Sequence, residues 1–271
     1  MAGAQQGLLG RLPYVAAGAG PPLLLLAGLA PHAGVPTGPF RRWELTVTRP
    51  FAGRRRVYYV NRRPGSPRGM TMAALAVEHA DALRAGFGAP VYVLGLSTGG
   101  SIAQQLAADH PDVVGRLVLL STACRISPKG RALQRRVAAR IRRGAHRQAL
   151  AVMMTGIVPP RRGQLAAAAL ARLAPPRLLP SGDDLAAMAT TIEAEDTFDL
   201  AACRRPIRAP TLILVGSADH WYSRELFAET ARLIPGSRLR VFEDRGHVSV
   251  YKHPEWARDI ERFLSDSARS R

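Results

Sequence analysis

A serine with glycines two residues before and two residues after it, Gly95-Leu96-Ser97-Thr98-Gly99-Gly100, follows the apolar run Val91-Tyr92-Val93-Leu94 and opens a stretch of helical periodicity. A sharp strand-to-helix turn forces its central residue into an unfavourable backbone conformation, and only small neighbours let the chain pass that close. Such a turn projects the Ser97 hydroxyl outward. It also sets the first N–H groups of the helix beside it, where the positive end of the dipole stabilises an oxyanion. The chemistry implied is nucleophilic attack on a carbonyl. A serine hydroxyl is a weak nucleophile until a base takes its proton, and that base needs an acid to orient it.

Both partners have candidates downstream. The run Leu212–Val215 ends in Gly216-Ser217-Ala218-Asp219, and Leu239-Arg240-Val241-Phe242 ends in Glu243-Asp244-Arg245-Gly246-His247. Asp219 is the expected acid and His247 the expected base. Asp244 is a second candidate acid, read more simply as a solvated turn residue. Of the other histidines, His79, His110 and His146 lie in helical patterns, while His32 follows the first core strand, His220 adjoins Asp219 and His253 precedes the Pro that starts the last helix.

The elements that must position these groups alternate along the chain. Leu23–Leu26, Val57–Val60, Val91–Leu94, Leu117–Leu120 and Leu212–Val215 are continuous apolar runs of strand length, as expected for strands covered on both faces. Between and after them, Thr71–Arg84, Gly99–Asp109, Arg224–Leu233 and Pro254–Leu264 carry apolar residues at helical spacing. This alternation predicts a doubly wound α/β fold. It breaks between about Arg125 and Pro206, where Ala, Leu and Arg dominate and no strand is visible, which predicts an inserted helical segment punctuated by Pro159-Pro160, Pro175-Pro176 and Pro180. Within it Leu133, Val137, Ile141, Ala145 and Ala149 recur every four residues, with Arg136, Arg140, Arg143 and Arg147 on another face, as in one amphipathic basic helix.

The chain of 271 residues carries a net charge of +18, which ordinarily raises nucleic acid or an anionic membrane as partners. The excess sits mainly in residues 113–182, with fourteen bases and no acid, and all but Lys129 and Lys252 of the bases are arginine. That reads as compositional bias, since no helix-turn-helix, RNP or zinc pattern accompanies it. Cys124 and Cys203 build neither a disulfide framework nor a metal spacing and are expected as free thiols. Leu23–Ala30 lacks the flanks of a signal peptide and is read as a buried strand, and no apolar run approaches a bilayer span. A cytoplasmic protein with a small-molecule substrate is expected, without nucleic acid or integral membrane segment, as monomer or homodimer.

Taken together, Gly95-Leu96-Ser97-Thr98-Gly99-Gly100, Gly216-Ser217-Ala218-Asp219 and Gly246-His247 with His253-Pro254-Glu255 resemble the α/β-hydrolase fold superfamily over nearly the whole chain. The resemblance implies an eight-stranded, mostly parallel sheet flanked by helices, with a core over 1–125 and 206–271 and a helical cap over 126–205. It implies a triad of Ser97, His247 and Asp219, and no cofactor or metal. Members of this superfamily commonly show His-Gly after the first core strand, where the loop supplies a second oxyanion N–H. Here Ala27-Gly28-Leu29 follows, so Leu29 N–H pairs with Thr98 N–H as the expected donors while the support of that loop is left open. A serine hydrolase of carboxylic esters, lactones or thioesters is the leading expectation. The same triad also serves cofactor-free perhydrolase or haloperoxidase-like chemistry, C–C bond hydrolysis and acyl transfer, and a non-catalytic ligand binder is the outlying alternative. In the cap, Met153, Met154, Ile157, Val158 and Met188 are candidates for an adaptable apolar pocket or for plain core packing, and its arginines for steering an anionic substrate. Trp221 and Tyr222 either flank the entrance or anchor against the sheet edge.

Overall fold

Each apolar run needs backbone partners and cover on both faces, and a parallel sheet between helical layers supplies both. The computed structural model describes residues 4–35, 41, 46–157, 162–173, 175 and 179–266. Its strands are β1 (Gln5–Leu9), β2 (Leu12–Ala17), β3 (Pro22–Leu26), β4 (Arg56–Val60), β5 (Val91–Leu96), β6 (Val114–Leu120), β7 (Thr211–Gly216) and β8 (Arg238–Phe242). They form one eight-stranded sheet in the order β1-β2-β4-β3-β5-β6-β7-β8. From β4 to β8 every neighbouring pair is parallel. The run Leu23–Leu26 shows why periodicity alone does not betray such a strand: Leu24 and Leu26 enter the core on one face, Leu23 and Leu25 that on the other, and none is more than 1% exposed.

The sequence gives little sign of β1 and β2. They pair antiparallel through Leu9 and Leu12 about a turn at Gly10, whose φ is 58°, and β2 joins β4 antiparallel. The helices are α1 (Met72–Phe87), α2 (Thr98–Asp109), α3 (Pro128–Arg142), α4 (His146–Ile157), α5 (Arg162–Leu173), α6 (Gly182–Asp196), α7 (Arg224–Leu233) and α8 (Trp256–Ser265). Helices α3 to α6 all fall between β6 and β7. Val137 and Ile141 of α3, Ala149 and Met153 of α4, and Leu185, Met188 and Ile192 of α6 form an apolar cluster of their own. The single basic helix expected through Leu133–Ala149 is two helices. The chain turns at Gly144, where φ is 73°, and Ala145 lies in the break although the four-residue apolar spacing continues through it. Some arginines of this region pair with acids: Arg125 reaches Glu229 with both terminal nitrogens at 2.7 Å, Arg135 reaches Asp196 and Arg142 reaches Glu193. No described helix is long and apolar enough to cross a membrane.

His79 lies buried in α1, its Nδ1 2.7 Å from the Leu75 carbonyl, and burial holds its pKa below the ordinary 6.5. The unfolded chain therefore binds this proton first. The contribution of His79 to stability is complete above pH 6.5 and is lost as pH falls below that value. We expect His79→Gln to flatten the fall of melting temperature below pH 6.5, a comparison that scanning calorimetry at several pH values makes directly.

Candidate active site

Ser97 joins β5 to α2 at φ 51° and ψ −121°, outside the regions that L-residues ordinarily occupy. Close packing holds it there. A Cβ on Gly95 would stand 2.6 Å from Gly100 Cα and 2.7 Å from Ala103 Cβ, and one on Gly99 would stand 2.3 Å from the Leu26 carbonyl oxygen. The Ser97 N–H donates to the Leu120 carbonyl at 2.9 Å and its own carbonyl accepts from Gly100 at 2.7 Å, which fixes the turn on both sides. Thr98, first residue of α2, has one of the amides that every helix leaves without an intrahelical partner.

The loops after β7 and β8 bring Asp219 and His247 to this turn. Ser97 Oγ lies 2.9 Å from His247 Nε2, and His247 Nδ1 lies 2.8 Å from Asp219 Oδ2. A carboxylate only accepts, so Nδ1 carries the proton and Nε2 is free to accept the hydroxyl hydrogen of Ser97. The Asp219 side chain is fully buried, and its other oxygen accepts from the Trp221 and Tyr222 backbone N–H groups at 2.8 and 3.4 Å. Asp244, the alternative acid, is exposed, and its backbone N–H donates to the Ser217 hydroxyl oxygen at 2.9 Å. The His247 ring has two aromatic neighbours, Trp221 with its ring centre 6.2 Å away and Tyr222 with its ring centre 6.0 Å away at an interplanar angle of 26°. Ser121, which the sequence did not single out, donates from Oγ to the His247 carbonyl at 2.8 Å and so holds the loop that carries the imidazole.

Above Ser97 and His247 opens a cavity of about 620 Å³. Its floor includes Gly28, Leu29 and Thr98, so both expected oxyanion donors border it. Its far wall belongs to the inserted helices, with Val137, Met153, Met154, Ile157 and Met188, and Trp221 closes it beside the imidazole. Val158 lies outside the described residues. Met153 and Met188 serve both readings, since they line the cavity and belong to the apolar cluster of the insertion. Among the described residues no Arg or Lys lines the cavity, and no group of His, Cys, Asp and Glu could hold a metal ion.

Sequence reasoning also passed over Glu195, a fully buried carboxylate in the last turn of α6. Its oxygens accept from Thr98 Oγ1, Ser101 Oγ and Gln134 Nε2, each at 2.8 Å. The insertion is thus fastened to the first turn of α2, one residue from Ser97. Tyr222, buried nearby, has its phenol pKa pushed well above the ordinary value, by burial first and by the Glu195 charge next.

The parallel sheet, the strained serine and the hydrogen-bonded Ser-His-Asp line define a class of fold and site. The sequence profile described as "Alpha/beta hydrolase family" matches residues 23–260, and the chain belongs to that family. A hydrolase from Pseudomonas aeruginosa superposes with a TM-score of 0.74 at 24% identity, covering 98% of this chain and 100% of its own. A thermophilic esterase from Thermogutta terrifontis does so at 0.70 and 24%, covering 96% and 98%. The enol-lactonase from Burkholderia xenovorans does so at 0.70 and 21%, covering 97% and 100%. At these identities the likeness is one of fold. Among curated proteins no sequence matches significantly.

Removing the Glu195 carboxylate leaves two hydroxyls and an amide without their acceptor, and each buried polar group left unmatched costs about 1–3 kcal/mol. We expect Glu195→Ala to lose about 3 kcal/mol in urea unfolding, and Glu195→Gln, which keeps the shape and can donate to a hydroxyl, to lose less.

Proposed function

We propose that the chain is a serine hydrolase of carboxylic esters with an apolar acyl or alcohol group, acting through Ser97, His247 and Asp219. The observation that carries the reading is the unbroken line of hydrogen bonds from Ser97 Oγ through the His247 ring to a buried Asp219. Ser97 Oγ attacks the ester carbonyl as its proton passes to Nε2. Asp219 holds the resulting imidazolium, and the imidazolium returns the proton to the leaving alcohol. Water, activated by the same imidazole, then cleaves the acyl-enzyme. The tetrahedral oxygen sits between the N–H groups of Leu29 and Thr98, donors that in such sites are worth about 3 kcal/mol each.

Residues 126–205 are read as the cap that sets substrate size. The volume suits a small ligand, since such clefts run from about 300 to 1,000 Å³, and the thioethers of Met153 and Met154 adapt to irregular shapes. The apolar lining favours neutral chains in the pocket, which leaves the arginines only an outer, steering role toward anionic substrates. A lactone or thioester fits the same groups.

A p-nitrophenyl ester panel tests the reading. Butyrate and hexanoate esters should be cleaved with a burst of nitrophenol, and Ser97→Ala should abolish both the burst and labelling by a fluorophosphonate. A wild type inert toward every acyl chain, or an active Ser97→Ala, would overturn it. Met154→Trp, which fills part of the far wall, should raise KM for the hexanoate several-fold and leave the acetate nearly unchanged in steady-state assays.

A further inference from the structure

The loop after β3 lacks the histidine that its family commonly places there, yet it is held. At its two ends backbone bonds fasten it to the end of β4: Ala27 N–H donates to the Val60 carbonyl at 2.9 Å and Gly34 N–H to the Arg62 carbonyl at 2.7 Å. Between those ends the loop bulges over the serine turn. Gly28 is packed against that turn so closely that an added Cβ would lie 3.4 Å from Ser97 Cβ. The middle of the loop is gathered by one side chain. Arg62, only 7% exposed, donates from Nη1 to the Gly28 carbonyl at 3.3 Å and from Nη2 to the carbonyls of Ala30 and, at 3.1 Å, His32.

The Gly28 carbonyl belongs to the same peptide unit as the Leu29 N–H. A trans peptide is planar, with its C=O and N–H pointing in opposite directions, and the chain has no cis peptide bonds among the described residues. Fixing the carbonyl toward Arg62 therefore turns the Leu29 N–H away from Arg62, which is not among the described residues lining the cavity that Leu29 and Ser97 share. A permanently charged guanidinium on the carbonyl also polarises that peptide and strengthens its N–H as a donor. Its planar fork reaches three carbonyls at once, which an ammonium on a flexible stem does not do in a fixed geometry.

We infer that Arg62 is the positioning residue of the second oxyanion donor, holding from behind a loop that lacks the histidine common in its family. The inference rests on the reading of Ser97 as nucleophile. It requires that Arg62 matter to the tetrahedral state and little to the bound ester.

Arg62→Lys and Arg62→Met, checked for folding by circular dichroism, separate the two states. Steady-state hydrolysis of p-nitrophenyl butyrate gives kcat and KM. Inhibition by butylboronic acid, which bonds to Ser97 Oγ and places an oxygen in the oxyanion site, reports the tetrahedral state, and inhibition by butyramide reports the ground state. We expect kcat to fall about 10- to 100-fold, less than the loss from deleting a donor outright, with KM and butyramide inhibition nearly unchanged and boronate affinity reduced by the same factor as kcat/KM. Wild-type kcat in either folded variant would overturn the inference, as would a loss of butyramide affinity equal to that of the boronate. Should Arg62→Met not fold, Arg62→Lys decides alone. Activity surviving in Ser97→Ala would instead remove the underlying function, whatever the Arg62 variants show.

Discussion

Ser97 keeps a backbone conformation worth roughly 1–3 kcal/mol of strain because the chain around it is packed too closely to relax. Its φ of 51° brings α2 down onto β3 and β5, where Gly95 and Gly99 leave no room for a side chain. The rest of the site is arranged around that turn. Ser97, Asp219 and His247 follow β5, β7 and β8, and in a parallel sheet the ends of those strands share one edge. Two residues far apart in the sequence then need only short loops to reach the hydroxyl. Buried hydrogen bonds to Asp219 and the Ser121 contact to the His247 loop hold those loops in place.

How much of this was legible depended on the kind of constraint involved. The glycines about Ser97 answer to steric exclusion, which leaves a fixed spacing in the sequence, and Asp219 and His247 could be picked out because each follows a strand. Leu23–Leu26 and its companions were legible as strands because two covered faces demand an unbroken apolar run. The β1–β2 hairpin was not, since most of β1 is exposed and β2 carries Pro13, a residue that argues against a strand. The break at Gly144 was hidden by an apolar spacing that continues across it. Glu195 and Arg62 were hidden for another reason. Charged residues at helical spacing or in an Arg-Arg pair read as solvated, and only the fold reveals the three donors around one and the three carbonyls around the other.

The arginine excess looks different in the folded chain. Arg62 gathers a loop, Arg116 donates to the Phe263 carbonyl at 2.6 Å, and Arg55 pairs with Glu261 at 3.1 Å with both side chains largely buried. Five donors on a rigid plane make arginine suited to collecting carbonyl oxygens at strand and helix ends. Whatever favoured arginine in this chain, part of it has been recruited as internal scaffolding, and the cavity itself is lined without it among the described residues.

The far wall of the cavity hangs from one uninterrupted stretch of chain, α3 to α6, which leaves the sheet after β6 and rejoins it at the neighbouring strand β7. Ser97, His247 and Asp219 lie outside that stretch. Evolution or an engineer could therefore graft a different helical roof between the same two strands and reshape the cavity wall without moving those three residues, provided the newcomer brings its own anion to meet Thr98 and Ser101.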